Sequence, residues 1–89
     1  MDFSDALRAI KSGKRVTRTG WNGNGMWLFL IPGSRFPVER GRPMALAAPE
    51  MVGNLVSYRS HIDLFTADGE FVPWCATQSD LLAEDWETV

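Results

Sequence analysis

Gly20-Trp21-Asn22-Gly23-Asn24-Gly25 runs without a break into Met26-Trp27-Leu28-Phe29-Leu30-Ile31, and Pro32-Gly33 stops the run. Six consecutive apolar residues bounded by glycine and proline predict a strand at the centre of a sheet, covered on both faces. Alternation places Trp27, Phe29 and Ile31 on one side and Met26, Leu28 and Leu30 on the other. The loop ahead of the strand is unusual, because glycine-rich loops normally carry small polar residues rather than tryptophan. Glycine allows positive φ and close approach to the main chain, asparagine brings amide donors and acceptors, and the indole brings a flat stacking face.

Upstream, Phe3, Ala6, Leu7 and Ile10 have the spacing of one buried helical stripe, which predicts a helix over residues 4–12. Asp2 or Ser4 suits its N-cap, and Gly13 its end. Lys14–Arg18 alternates around Val16 and Thr17 and reads as a strand. Downstream, prolines 32, 37, 43 and 49 with glycines 33, 41 and 53 break residues 32–56 into the least regular part of the chain. Leu46-Ala47-Ala48 is too short to predict a helix, and residues 50–58 suit either a helical turn or a strand. A loop of that length in a small domain points to a functional or interfacial role. Residues 62–66 and 70–74 flank Asp68-Gly69, a hairpin signal, with Pro73 fit only for a strand end or an edge. Thr77-Gln78-Ser79-Asp80 has the capping-box form ahead of a short helix, and residues 85–89 alternate as a last strand. The fold class is α+β: an N-terminal helix on an antiparallel sheet of four to five strands, plus a short C-terminal helix.

Eighty-nine residues make a single domain, residues 1–89, with a thin core. One cysteine excludes an internal disulfide, and a lone histidine (His61) fourteen residues from Cys75 gives no metal-ligand spacing, so neither metal nor cofactor is expected. Oligomerisation is then the expected stabilising device, supported by four tryptophans and five phenylalanines that so small a domain cannot hide alone. No run of eighteen apolar residues is present, so a membrane partner is not expected and the chain reads as cytoplasmic. Net charge is −2, with +5 over residues 1–59 and −7 over residues 60–89. Such a split suits attraction between the two segments within the fold or across an interface, or else a basic anion site.

Catalysis finds little support. His61 has no partner in the pattern, Cys75 after a tryptophan reads as a small buried hydrophobe, and the acids Asp80, Glu84 and Asp85 suit a helix start. Binding finds more. Trp21 beside Asn22 and Gly23 suits a nucleobase or ribose, Arg15 and Arg18 can contact phosphate, and Thr77, Gln78 and Asp80 offer polar groups at a helix start. Packing at a subunit interface is the competing reading of Trp21 and Trp74. The class-level alternative is a small nucleic-acid or protein interaction module, with the acidic net charge set against nucleic acid.

The ordered set Phe3-Ser4-Asp5-Ala6-Leu7, Lys14-Arg15-Val16, Gly20-Trp21-Asn22-Gly23, Gly25-Met26-Trp27-Leu28, Pro32-Gly33-Ser34, Thr66-Ala67-Asp68-Gly69, Val72-Pro73-Trp74 and Gln78 to Trp86 resembles the Thoeris anti-defence family of the second type. Only about residues 35–57 lie outside the match. The resemblance implies a non-enzymatic phage protein that forms homotetramers and holds a cyclic ADP-ribose isomer, an immune signal, without destroying it. Some members also hold cyclic di- or trinucleotides at separate pockets. On that footing Trp21 is the first stacking candidate with Asn22 and Gly23 beside it, and Gln78 and Asp80 are polar partners, Asp80 for a ribose hydroxyl. Arg15 and Arg18 would face the pyrophosphate, and Trp74 and Tyr58 would close the pocket or the interface. The thin core places the meeting of the two site halves, Gly20–Gly25 and Thr77–Asp80, between subunits.

Overall fold

The computed structural model describes residues 1–21 and 25–89. The chain starts with helix α1 (Phe3–Lys11). Asp2 is extended and its carboxylate accepts the Asp5 N–H at 3.0 Å, so Asp2 is the N-cap. The apolar stripe is laid on the sheet as its spacing predicts, with Ala6 and Ile10 fully buried. Strands β1 (Val16–Arg18), β2 (Trp27–Ile31), β5 (His61–Phe65), β6 (Phe71–Pro73) and β7 (Trp86–Thr88) form a five-stranded sheet in the order β6-β5-β2-β1-β7. All its pairings are antiparallel, and β2 is the middle strand. Helix α3 (Gln78–Leu82) carries the predicted capping box, with Thr77 and Asp80 each accepting the other's backbone N–H. The class is α+β, as expected.

Register decides what each sheet face carries. Val16 opposite Leu28, and Arg18 opposite Trp86, share the face under α1, where Ala6, Ile10, Val16, Leu28 and Trp86 make the core. Trp27 opposite Phe65 lies on the other face, with Phe65 in turn opposite Phe71. The expectation that β2 is covered on both sides holds for one side only. Over Leu28 lies the core; over Trp27 and Phe29 no helix packs among the described residues. Those rings pack edgewise and face to face on one another instead, Trp27 on Phe65 at 5.1 Å and Phe29 on Phe71 at 5.7 Å.

The larger correction concerns residues 33–60. They are ordered as an arm: β3 (Ser34–Pro37) pairs with β4 (Leu55–Tyr58), and between them stand α2 (Pro43–Ala47) and a 3-10 turn over Pro49–Met51. Pro43 opens α2, where a missing N–H costs nothing, so the four residues Met44–Ala47 suffice to extend it. The arm has a small core of its own in Val38 and Ala45. At its neck a Cβ on Gly33 would lie 2.9 Å from the Tyr58 carbonyl and 3.1 Å from the Ser60 nitrogen, so only glycine lets the two strands close there. None of the arm's helices or strands lies against the five-stranded sheet or α1. The molecule is accordingly long, 46 × 26 × 22 Å, with a radius of gyration of 16.5 Å, where a compact chain of this length has about 12 Å.

Candidate functional site

Trp21 of the first predicted half and Asp80 of the second touch within one protomer. Arg18, at the end of β1, extends its guanidinium between two carboxylates of the C-terminal segment. Nη1 donates to Asp80 Oδ1 at 2.8 Å and Nε donates to Asp85 Oδ1 at 2.9 Å. These pairs join the basic and acidic segments, which is the intramolecular reading of the charge split. The Trp21 Nε1–H reaches Asp80 Oδ1 at 3.4 Å, and the Trp86 Nε1–H donates to the Asp80 carbonyl at 3.0 Å. The Trp21 ring stands edge-on to Trp86, centroids 5.2 Å apart. Short-range capping at Thr77 therefore fixes Asp80, Asp80 fixes Arg18 and Trp21, and Trp86 anchors the group in the core.

Gly20 leaves room for one of the protein's own carboxylates. Its N–H donates to Asp85 Oδ2 at 2.8 Å, and a Cβ there would sit 2.8 Å from the same oxygen. The close approach to the main chain is made by the protein's own carboxylate. Thr19 adds its hydroxyl to that oxygen at 3.3 Å. Burial pushes the Asp80 carboxyl up, but hydrogen bonds from Thr77 and Arg18 outweigh it and hold the group below the usual carboxylate range. Asp85 is held low by the Arg18 guanidinium first, with the Gly20 N–H adding to it. Arg18 is raised by the same two partners.

Beside this group opens a cleft of about 340 Å³ lined by Trp21, Arg18, Thr17, Thr19, Met26, Trp27 and Glu87. Thr17 donates to the Met26 carbonyl at 2.7 Å, which leaves its oxygen free to accept. Arg15 is exposed and lies over the Trp27 ring at 4.7 Å, a cation–π contact at the cleft's side.

Arg18, Trp21, Thr77 and Asp80 are thus brought together, with Arg15 adjacent through Trp27. Asp80 is 6 % exposed, and its oxygens accept from Arg18, Trp21 and the Thr77 N–H. Gln78 is exposed on the first turn of α3. Trp74 packs on Phe3 and Trp86 at 6.0 and 6.1 Å and borders a separate hollow with Leu7 and Ile62. Tyr58 is on the arm, stacked on Phe36 at 5.5 Å, and lines a cavity of about 420 Å³ with Val38, Arg42 and Met44. Asn22 and Gly23 lie outside the described residues. Cys75 is exposed, contrary to its reading as a buried hydrophobe. Missed by the sequence reading were the part played by Asp85 and the threonines 17 and 19. The available signal for Asp85 was its place beside Trp86, opposite the end of the Arg18 strand.

Two comparisons bear on this arrangement. The family model described as the Thoeris anti-defense 2-like domain matches residues 1–89. A relative from Bacillus phage SP01, Thoeris anti-defense 2, is 37% identical over 90 residues, spanning 100% of this chain and 94% of the phage protein. The match runs through the arm as well as the sheet. The chain belongs to the Thoeris anti-defense 2-like family of anti-defence proteins.

Proposed function

We propose that the protein blunts bacterial immunity by binding and holding a cyclic nucleotide signal, a cyclic ADP-ribose isomer, without cleaving it. Cyclic di- or trinucleotides are the second ligand class. The observation that carries the reading is the Trp21 indole, fixed by Asp80 and Trp86 and bordering a cleft that also presents threonine hydroxyls. A base-stacking ring held in place before the ligand arrives loses little entropy on binding, which favours tight capture and slow release. Arg18 is neutralised by two carboxylates, so the pyrophosphate contact passes to Arg15. Thr17, Thr19 and Gln78 offer polar contacts for ribose. The cleft is at the small end of the roughly 300–1,000 Å³ range of ligand sites, which suits closure by a second copy. A homo-oligomer, a tetramer on the family pattern, acting in the cytoplasm of the infected host, is part of the proposal.

Titration calorimetry with the cyclic ADP-ribose isomer tests it. Trp21→Ala should weaken binding by about 1–3 kcal/mol, the worth of one stacked base, with the oligomer mass kept as the control for folding. Unchanged affinity in a variant of intact mass would remove Trp21 from the site. No binding by the wild-type protein, together with retardation of DNA or RNA in a low-salt gel, would favour the interaction-module reading.

A further inference from the structure

Asp85 grips three consecutive residues on the way into Trp21. Its Oδ1 accepts from Arg18 Nε at 2.9 Å, and its Oδ2 accepts from the Gly20 N–H at 2.8 Å and the Thr19 hydroxyl at 3.3 Å. Its carbonyl accepts the Thr19 N–H at 3.2 Å, and the Trp21 N–H returns to the Arg18 carbonyl at 3.1 Å, closing a turn over residues 18–21. The grip is itself well mounted. The next residue, Trp86, is buried, pairs with Arg18 and donates its N–H to the Met1 carbonyl at 3.1 Å. Asp85 is not among the described residues that line the cleft. We infer that Asp85 is a positioning residue for ligand capture: it sets the 18–21 turn, and so where the Trp21 ring stands, without touching the ligand. Resting on the capture of a cyclic nucleotide beside Trp21 proposed above, this adds the residue that holds the ring's main chain.

A role confined to fold stability does not account for this geometry. With the Asp85 side chain 31 % exposed, its ion pair with Arg18 contributes little by itself. Its second oxygen is directed to the main chain instead. The ring end of Trp21 is held less firmly, by a long 3.4 Å bond from Nε1–H to Asp80 Oδ1 and an edge contact with Trp86. Holding the backbone root therefore falls to Asp85. A ring ordered only when the ligand arrives costs side-chain entropy on binding and lets the ligand go sooner. Gly20 belongs to the same device. Its backbone lies outside the left-handed region, and a Cβ there would meet Asp85 Oδ2 at 2.8 Å and the Arg18 guanidinium at 3.4 Å. The glycine is thus required by the carboxylate rather than by φ.

Titration calorimetry and stopped-flow release of the cyclic ADP-ribose isomer test the role. Asp85→Asn should weaken binding about tenfold, with the change in the release rate. In a Trp21→Ala background the same substitution should cost less than about twofold, because the group it positions is gone. Gly20→Ala keeps the carboxylate yet should reproduce the loss, and it should add nothing to Asp85→Ala. Fluorotryptophan labelling gives four fluorine resonances, assigned by single tryptophan-to-phenylalanine changes. Asp85→Asn should move or broaden that of Trp21 and leave that of Trp27 in place. Equal losses with and without the Trp21 indole, unchanged affinity in a folded Gly20→Ala variant, or an unmoved Trp21 resonance would overturn the positioning role and leave capture standing. A wild-type protein that does not bind the isomer would overturn both.

Discussion

The two faces of the five-stranded sheet both carry aromatic residues and differ in what lies over them. Under α1, Trp86 and Leu28 are sealed in the core, and Arg18 and Asp80 beside them are paired and hydrogen-bonded. On the outer face Trp27, Phe29 and Phe65 are half-buried and Phe71 is exposed, and among the described residues no helix covers them. Aromatic content alone does not make a core. What separates the faces is the amphipathic helix that the first eleven residues lay on one of them. The same physics that stabilises the chain on one face therefore leaves the other available for association.

Substitutions on the two faces should separate those roles. The largest effect is expected from Trp86→Ala, about 3–5 kcal/mol of lost stability for a buried aromatic, read as a fall in the urea midpoint. That variant should also release Trp21, since the two rings pack edge to edge. Asp80→Asn comes next, at about 1.5–3 kcal/mol for hydrogen bonds to a charged group. A loss no larger than that of an exposed helix-cap change would mean that Arg18 and Trp21 do not depend on it.

Outer-face changes should act through association. Stability of the wild-type protein should rise with protein concentration, by about 1.4 kcal/mol for each tenfold if dimerisation is linked to folding. Phe65→Ser should flatten that dependence, whereas Asp80→Asn should keep it. Equal slopes in all three would erase the distinction between the faces.

Acid gives the smallest and most diagnostic effect. Asp80 and Asp85 have folded-state pKa values below the ordinary carboxylate value. Their contribution is complete above the unfolded value of about 3.9 and drains as pH falls through it towards the folded values. The wild-type urea midpoint should therefore fall between pH 5 and pH 3 by more than that of an Asp80→Asn, Asp85→Asn double variant. A steeper fall in the double variant would contradict the pairing with Arg18.

Local patterns explain why most of the fold was legible. The α1 stripe, the six-residue β2 run, the Asp68-Gly69 hairpin and the Thr77–Asp80 box are all short-range signals, and each became the element expected. Residues 33–60 were not legible, because β3 and β4 are strands only by pairing across seventeen intervening residues, and prolines hid both that pairing and α2. The site was half legible. The sequence brought Trp21 and Asp80 into one proposal, but it could not show that Arg18 and Asp80 spend their charges on each other. Nor could it show that Gly20 yields to Asp85, since such pairings depend on register between β1 and β7. A thin core suggested a join between subunits, and Trp21 and Asp80, one from each half, already touch within the protomer.

The proposal stands most directly on the fate of the ligand. Protein loaded with the cyclic ADP-ribose isomer and freed of excess by gel filtration would be heat-denatured, and the released small molecules weighed by mass spectrometry. Sequestration predicts recovery of the unaltered cyclic molecule in amounts matching the occupied clefts. Recovery of an opened or hydrolysed product would contradict it and make the protein an enzyme.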